Sequence, residues 1–291
     1  MATPLRVGVA QMESTVGDIE ANLARHLEAI AEARGNGVGV LVFPEVSLTG
    51  HSAGADALTL ARDRTDPIVT TLANAARDMC VIFGFIEEGP AAQFHNSAFA
   101  VRDGSVLFIH RKINLPTYGA LEEGKHYASG RYVDTFELAH RWRASLLICA
   151  DVWNPGLVYL SALHGATILF VPISSAREAV GAEFDNPGGW DVCIRFYAMI
   201  YGLPVVMANR VGREGDLTFW GGSRILDPFG RTLAEAGAGE EIIVADLDYE
   251  RVRKARYLLP TVRDSNLALI LRESERLANI VGVPETVRRS S

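Results

Sequence analysis

A carboxylate, an ammonium and a thiol each come shortly after an apolar run that predicts a buried strand. Glu45 follows a run that ends at Phe43, Lys112 lies in a short basic segment, and Cys149 directly follows the apolar run at 145–148. In open α/β sheets, ligands bind and reactive groups gather at the carboxyl ends of strands. We therefore expect these three side chains to lie close together, with the thiol as a nucleophile.

A cysteine attacks as a thiolate, so its free pKa of about 8.5 has to be lowered or a base has to take the proton. Glu45 is the candidate base. Taken alone, each residue also has an ordinary role: Cys149 as a small buried side chain, Glu45 as a surface cap, and Lys112 as part of a solvated basic run. Because all three residues follow predicted strands, a catalytic role is favoured over these separate structural roles.

The elements that must position these side chains follow from hydrophobic periodicity. Short apolar runs alternate with longer amphipathic ones, which is typical of a layered α/β domain. Asp103-Gly104 predicts a hairpin and Asp227–Gly230 a turn between antiparallel strands, so the sheet is expected to be mixed. We predict helices at 19–34 (with Asp18 as N-cap), 67–79, 155–164 and 191–201, and strands at 5–10, 38–43, 81–87, 96–101, 106–110, 145–148, 168–171, 205–208, 222–226, 231–234 and 242–246.

The sequence predicts one domain with a C-terminal extension. Residues 1–250 contain no linker, composition break or internal repeat, so they are assigned to a single domain. Residues 251–291 have fewer apolar side chains and more arginines. We expect this extension to pack on the domain or on a partner subunit.

Composition and charge narrow the function classes. With 28 basic and 35 acidic residues, the net charge of −7 gives no attraction to nucleic acid or to an anionic membrane. No apolar run approaches 18 residues, and Met1–Arg6 lacks the pattern of a signal peptide. A protein that acts on a small molecule is the expectation.

Cysteine and histidine usage points away from disulfides and metals. Cys80, Cys149 and Cys193 cannot all pair with one another, so reduced thiols in the cytoplasm are expected. The seven histidines are scattered without a metal-ligand spacing, and no glycine-rich phosphate loop is present. We expect neither a metal nor another cofactor.

Taken together, the motifs resemble those of the nitrilase superfamily of carbon–nitrogen hydrolases, over about residues 5–250. The matching segments are Phe43-Pro44-Glu45, His110-Arg111-Lys112 with Leu115-Pro116, Cys149-Ala150-Asp151, and the stretch from Pro116 through Tyr118 and Glu123 to Tyr127. The resemblance implies an α/β fold with mixed sheets, arranged as a four-layer α-β-β-α sandwich. It also implies a homodimer or a larger homo-oligomer.

The resemblance further implies a mechanism and roles for these residues. Glu45 accepts the thiol proton of Cys149, and Lys112 holds the oxyanion together with the backbone N–H of Ala150. Glu123 orients the substrate or Lys112, although its neighbour Glu122 is an alternative for the inward position. Two carboxylates beside one lysine are expected to raise the pKa of one glutamate.

The residues around Cys149 favour the amidase branch, with two conflicting hints about the substrate. Trp153 and Pro155 resemble the glutamine-hydrolysing domain of NAD synthetases, whose second, ATP-using domain we expect to be missing here. The stretch 174–190 instead resembles N-carbamoyl amidases. Arg177 is a candidate partner for a substrate carboxylate or a solvent-facing arginine. Candidates for substrate contact are Tyr118, Ala150, Trp153, Ser174, Ser175, Arg177, Glu183, Phe184 and Trp190.

The sequence thus predicts hydrolysis of a small linear amide or N-carbamoyl compound to an acid and ammonia, through a cysteine thioester. Two alternatives stay open: a glutamine-hydrolysing ammonia donor to a partner synthetase, and a nitrilase that converts an organic nitrile to an acid. No nucleic acid, membrane or metal partner is expected.

Overall fold

The computed structural model describes residues 4–281 and contains two six-stranded mixed sheets. The first sheet consists, in spatial order, of β14 (Glu241–Leu247), β1 (Leu5–Gln11), β2 (Val40–Val42), β3 (Cys80–Gly89), β4 (Gln93–Arg102) and β5 (Ser105–Arg111). The second consists of β13 (Thr232–Glu235), β12 (Arg224–Leu226), β9 (Val205–Ala208), β8 (Ile168–Pro172), β7 (Trp142–Leu146) and β6 (Thr135–Ala139). A separate hairpin contains β10 (Val211–Glu214) and β11 (Leu217–Trp220).

Each sheet has three parallel inner strands and antiparallel neighbours. Strands β1, β2 and β3 are parallel, as are β7, β8 and β9. The hairpin turn predicted at Asp103-Gly104 joins β4 to β5, and the turn at Asp227–Gly230 joins β12 to β13. These connections confirm the prediction of a mixed sheet.

The helices begin at capping residues that the sequence provides. The Asp18 side chain accepts a hydrogen bond of 3.0 Å from the Ala21 N–H, which confirms the predicted N-cap. Asp66, Asn154, Asp185 and Asp248 cap later helices in the same way. The helices are α1 (Ile19–Gly35), α2 (Ala57–Leu60), α3 (Pro67–Ala76), α4 (Pro155–Leu163), α5 (Asn186–Tyr201), α6 (Tyr249–Leu258) and α7 (Leu267–Val281).

Alternation along the strands divides the interior into layers. In β1, Val7 and Val9 pack into a core shared with Leu146 and Phe170 of the second sheet, so the two sheets lie face to face. Residues on the opposite faces pack against helices, with α1 and α3 over the first sheet and α4 and α5 over the second. Because both faces are buried, the inner strands have nearly continuous apolar sequences. The predicted α-β-β-α sandwich is confirmed.

Several element boundaries differ from the prediction, and α5 differs most. The helix predicted at 191–201 begins at Asn186, since the Asp185 side chain caps the Gly188 N–H and Pro187 lies in the first turn. Trp190, one residue before the predicted start, therefore lies within the helix. The prediction also missed β6 and the β10–β11 hairpin, whose strands have only four or five residues.

The C-terminal part contains two helices. Helix α6 spans residue 250, where the sequence suggested a boundary, and its Val252 packs into the core between the sheets. Helix α7 exposes apolar side chains and has no buried residue. The division at residue 250 stays a prediction. The predicted C-terminal extension includes residues 282–291, and the expectation that the chain lacks a signal peptide rests partly on residues 1–3. Both of these segments lie outside the described residues.

Candidate active site

The three predicted catalytic residues lie in segments that leave strands. Glu45 follows β2, Lys112 directly follows β5, and Cys149 opens a single 3-10 turn shortly after β7. The first two segments belong to one sheet and the third to the other. Packing of the two sheets thus brings together residues that are far apart in the chain.

The backbone is strained at two of these segments. Cys149 has φ of 45° and Val46, next to Glu45, has φ of 44°, in the left-handed region that residues with a Cβ rarely adopt. Gly84 allows the second conformation, because a Cβ there would lie 2.6 Å from the Val46 nitrogen. Such strain persists only where the surroundings enforce it, and it is typical of functional sites.

Lys112 is buried between two carboxylates. Its Nζ donates hydrogen bonds of 2.6 Å to Glu45 Oε1 and 2.6 Å to Glu123 Oε1. Glu45 also accepts from Asn96 Nδ2 at 2.8 Å and, through its other oxygen, from the Ser174 N–H at 2.8 Å. These bonds fix the orientation of the Glu45 carboxylate.

The structure distinguishes Glu123 from Glu122. Glu123 turns inward to Lys112, and its side chain is 14% exposed. Glu122 lies at the surface, where it pairs with Lys125 and is 60% exposed. The sequence left this choice open.

Burial and neighbouring charges shift the pKa values in the site. Burial raises the pKa of Glu123 to about 7, and the charge of Glu45 adds to the rise while Lys112 opposes it. Burial lowers the pKa of Lys112, but the charges of Glu123 and Glu45 outweigh that effect and hold it well above its usual range. Lys112 is therefore held in its protonated form. The charge of Glu45 contributes to the raised pKa of Glu123, as the sequence predicted, although burial contributes more.

The thiol of Cys149 keeps its proton at rest. Burial raises its pKa well above the usual range, and the charge of Glu45 raises it further, whereas Lys112 and the Ser174 backbone N–H lower it. The thiol therefore needs a base to take its proton before it can act as a nucleophile.

Asp151 ties the cysteine segment to the lysine segment. It is fully buried, and its Oδ1 accepts from the N–H groups of Ile113 (2.9 Å) and Asn114 (2.8 Å). Its Oδ2 accepts from His110 Nε2 at 2.8 Å and from the Ile148 N–H at 3.1 Å. The aspartate of the Cys-Ala-Asp motif therefore holds the chain on both sides of the site.

Two cavities lie beside Glu45 and Cys149 and share part of their walls. The smaller, about 30 Å³, contains Cys149 in its wall, and we call it the cysteine pocket. The larger, about 170 Å³, contains Glu45 in its wall, and we call it the carboxylate cavity. Both are lined by His51, Leu121 and Glu123.

Most of the predicted substrate contacts line the cysteine pocket, and three do not. The lining residues among them are Tyr118, Ala150, Trp153, Ser174, Ser175 and Trp190. Arg177 and Glu183 are exposed and lie outside that lining. Phe184 packs edge-on against Trp153, with 5.9 Å between the ring centroids. Arg177 as a substrate contact stays a prediction that this arrangement does not support.

Sequence reasoning missed His51, which lines both cavities. Its Nδ1 lies 3.0 Å from Ser174 Oγ, and its backbone N–H donates to Glu214 at 3.2 Å. Burial lowers its pKa, although the charges of Glu45 and Glu214 oppose the shift. The available signal was its position six residues after Glu45. The residue was passed over because a single histidine without a metal-ligand spacing gives no signal of its own.

The described residues 4–281 contain no group of three or more histidine, cysteine, aspartate or glutamate side chains placed to hold a metal ion. Within the same range, no helix has the length and apolar character needed to cross a membrane.

Comparison with known proteins assigns the family. The carbon-nitrogen hydrolase family profile matches residues 6–257. An (R)-stereoselective amidase from a Pseudomonas species is 32% identical over 275 residues, which cover 93% of this chain and 95% of the amidase.

A glutamine-dependent NAD(+) synthetase from Thermotoga maritima is also 32% identical, over 84% of this chain but only 42% of the synthetase. The chain thus spans less than half the length of that relative. Among solved structures, a point mutant of the amidase from Nesterenkonia sp. AN1, with the acetamide moiety of fluoroacetamide covalently added at its active-site cysteine, is 25% identical. It superposes with a TM-score of 0.75 over 87% of this chain and 93% of its own. The chain therefore belongs to the carbon-nitrogen hydrolase family of the nitrilase superfamily, as its motifs and its sandwich fold predict.

Proposed function

We propose that the protein hydrolyses a small linear amide or N-carbamoyl compound, with Cys149 as nucleophile, Glu45 as general base and acid, and Lys112 as the cation of the oxyanion site. One observation carries the proposal: the Lys112 ammonium is held 2.6 Å from both Glu45 and Glu123, in a buried site where these charges act on the Cys149 thiol. Charges fixed in a buried site need no reorganisation when the transition state forms.

In the first half-reaction, Glu45 takes the thiol proton while sulfur attacks the amide carbon. The carbonyl electron pair moves to oxygen, and the Lys112 ammonium and the Ala150 N–H stabilise the oxyanion. When the carbonyl re-forms, the C–N bond breaks, and the nitrogen keeps the bonding pair and receives the proton from Glu45. A thioester on Cys149 and a free amine or ammonia result.

In the second half-reaction, Glu45 takes a proton from water, and the resulting hydroxide attacks the thioester carbon. The C–S bond breaks, sulfur keeps the electron pair, and Glu45 returns a proton to it. Glu123 orients Lys112 throughout, because its Oε1 accepts a hydrogen bond from Nζ. The sum is amide plus water to acid plus amine.

A glutamine-hydrolysing role is the second candidate, supported by the relatives that are glutamine-dependent NAD(+) synthetases. In that case the ammonia would pass to a partner synthetase. Amidases and N-carbamoylputrescine amidases among the relatives favour an independent hydrolase. A nitrilase activity is the weaker alternative.

We also propose a cytoplasmic homo-oligomer. The three cysteines Cys80, Cys149 and Cys193 are all free thiols, which suits a reducing compartment. Exposed apolar side chains on α5 and α7 are a candidate contact between copies of this chain.

An ammonia-release screen tests the proposal. Primary amides, glutamine, N-carbamoyl amino acids and nitriles are each incubated with the wild type, with Cys149→Ala and with Cys193→Ala. We expect at least one amide or N-carbamoyl substrate to release ammonia with the wild type and Cys193→Ala, and none with Cys149→Ala. Turnover by a folded Cys149→Ala protein would refute the role of the thiol, and turnover of nitriles alone would favour the nitrilase.

A further inference from the structure

The carboxylate cavity contains buried polar atoms that no described residue satisfies. Asn96 Oδ1, Glu123 Oε2 and the Tyr127 hydroxyl each have no hydrogen-bond partner. All three residues line the cavity, and Asn96 and Tyr127 are 2% and 8% exposed. Nearly all buried polar groups in native proteins are hydrogen-bonded, so three unpaired ones in one wall indicate a ligand that pairs with them.

The chemistry of the wall selects the type of ligand. Asn96 Oδ1 and Glu123 Oε2 are acceptors, and the Tyr127 hydroxyl accepts as well as donates. Above about pH 7, where Glu123 is ionised, Glu45 and Glu123 share one ammonium, that of Lys112, so the pair of carboxylates retains negative charge for a second cation. A small group with several N–H donors and a positive charge fits these partners.

Under the proposed function, the carboxylate cavity lies on the nitrogen side of the scissile C–N bond. Glu45, which returns a proton to the leaving nitrogen under the proposed function, lines the carboxylate cavity. Cys149, which keeps the acyl group, lines the cysteine pocket instead. The amide bond therefore bridges the junction at His51 and Glu123, with its nitrogen on the carboxylate side.

We propose that the carboxylate cavity is the binding site for the leaving amine, and that it takes ammonium or a short protonated primary amine. This inference rests on the proposed function for its link to the reaction. The volume of about 170 Å³ exceeds the roughly 30 Å³ share of one water molecule, so the site has room for an alkyl group on the nitrogen. N-alkyl amides are accordingly substrates as well as primary amides.

A binding experiment tests the site without turnover. Methylammonium chloride is titrated into the Cys149→Ala protein by calorimetry, with tetramethylammonium chloride, which has no N–H donor, at the same ionic strength. We expect saturable binding of methylammonium and none of tetramethylammonium. Equal binding of both, or no saturable binding of methylammonium, overturns the inference.

Two variants locate the binding in this cavity. Tyr127→Phe removes one partner, and we expect methylammonium affinity to fall about 3- to 10-fold, consistent with one hydrogen bond. Tyr132→Phe makes the same change on a side chain that is 80% exposed and outside the cavity, and it should leave the affinity unchanged. Equal effects of the two variants would contradict the assignment.

Ala55→Leu, in the cavity wall, provides a second test should Tyr127→Phe fail to fold. Filling the site should abolish methylammonium binding and lower the ratio of N-methyl amide to primary amide turnover about tenfold in a Cys149-containing protein. An unchanged ratio, with methylammonium still bound, overturns the inference. If methylammonium binds as expected but no amide is hydrolysed, the proposed function fails and the cation site stands.

Discussion

Lys112 is the residue at which the charges of the site converge. A buried ammonium is costly unless paired, and here two carboxylates pair with it at 2.6 Å. The pairing is unequal, because Glu45 is also held by Asn96 and Ser174, whereas Glu123 Oε2 has no partner. Glu123 is thus held by fewer hydrogen bonds than Glu45.

We predict that kcat/KM rises about tenfold per pH unit below about 7 and levels off above it. The reason is that burial raises the pKa of Glu123 to about 7, and only above that pH is its carboxylate ionised to hold Lys112. The measurement is the pH profile of ammonia release by wild type, Glu123→Gln and Glu122→Gln. The inflection should vanish in Glu123→Gln and remain in Glu122→Gln, and its persistence in Glu123→Gln would assign it to another group.

At the scale of elements, the site depends on the link between the 3-10 turn at Cys149–Asp151 and the segment that leaves β5. Asp151 supplies that link with four accepted hydrogen bonds, three from backbone N–H groups and one from His110. Because the turn holds Cys149 at φ of 45°, loss of the link should also relax the position of the thiol.

Asp151→Asn should lower the free energy of unfolding by about 2–4 kcal/mol, because the new NH₂ group faces donors and leaves buried N–H groups unpaired. Urea denaturation measures this change, and single-turnover acylation should slow in parallel. Asp246→Asn is the matched control: Asp246 pairs with Arg6 at the surface, where it is 53% exposed, and such pairs contribute about 0–1 kcal/mol. An equal loss of unfolding free energy in Asp151→Asn and Asp246→Asn would contradict the proposal that Asp151 links the two segments.

At the scale of the whole molecule, α5 presents an apolar face to solvent. Val192, Phe196 and Met199 lie on one side of the helix and are 69%, 48% and 48% exposed. Leu160 of the neighbouring α4 is 42% exposed. An apolar patch is complementary to itself, so a second copy of the chain related by a two-fold axis is the occupant we propose.

We predict that the wild type has at least twice the chain mass of 31.6 kDa in solution, and that Phe196→Glu shifts it towards the monomer. Burying a new charge in an apolar contact opposes association. Light scattering after gel filtration measures the mass, with Leu58→Glu, which alters a residue on α2 that is 85% exposed, as the control. A monomeric wild type, or an unchanged mass for Phe196→Glu, contradicts the prediction.

The sequence alone determined the elements whose signals are local. Both predicted turns, the Asp18 cap and most inner strands depend on residues within a few positions of one another, so periodicity and turn chemistry suffice. The start of α5 was missed because Gly188 and Gly189, near its beginning, are poor helix formers. The strand β6 and the β10–β11 hairpin were missed because their strands have only four or five residues.

The same division applies to the site. Glu45, Lys112 and Cys149 were singled out from the sequence, because a reactive side chain after an apolar strand is visible in a short window. Only the tertiary structure decided that Glu123 rather than Glu122 faces Lys112, that Asp151 links two segments, and that His51 joins two cavities. These are contacts between residues up to more than a hundred positions apart, and side-chain direction in an irregular segment has no period from which it can be read.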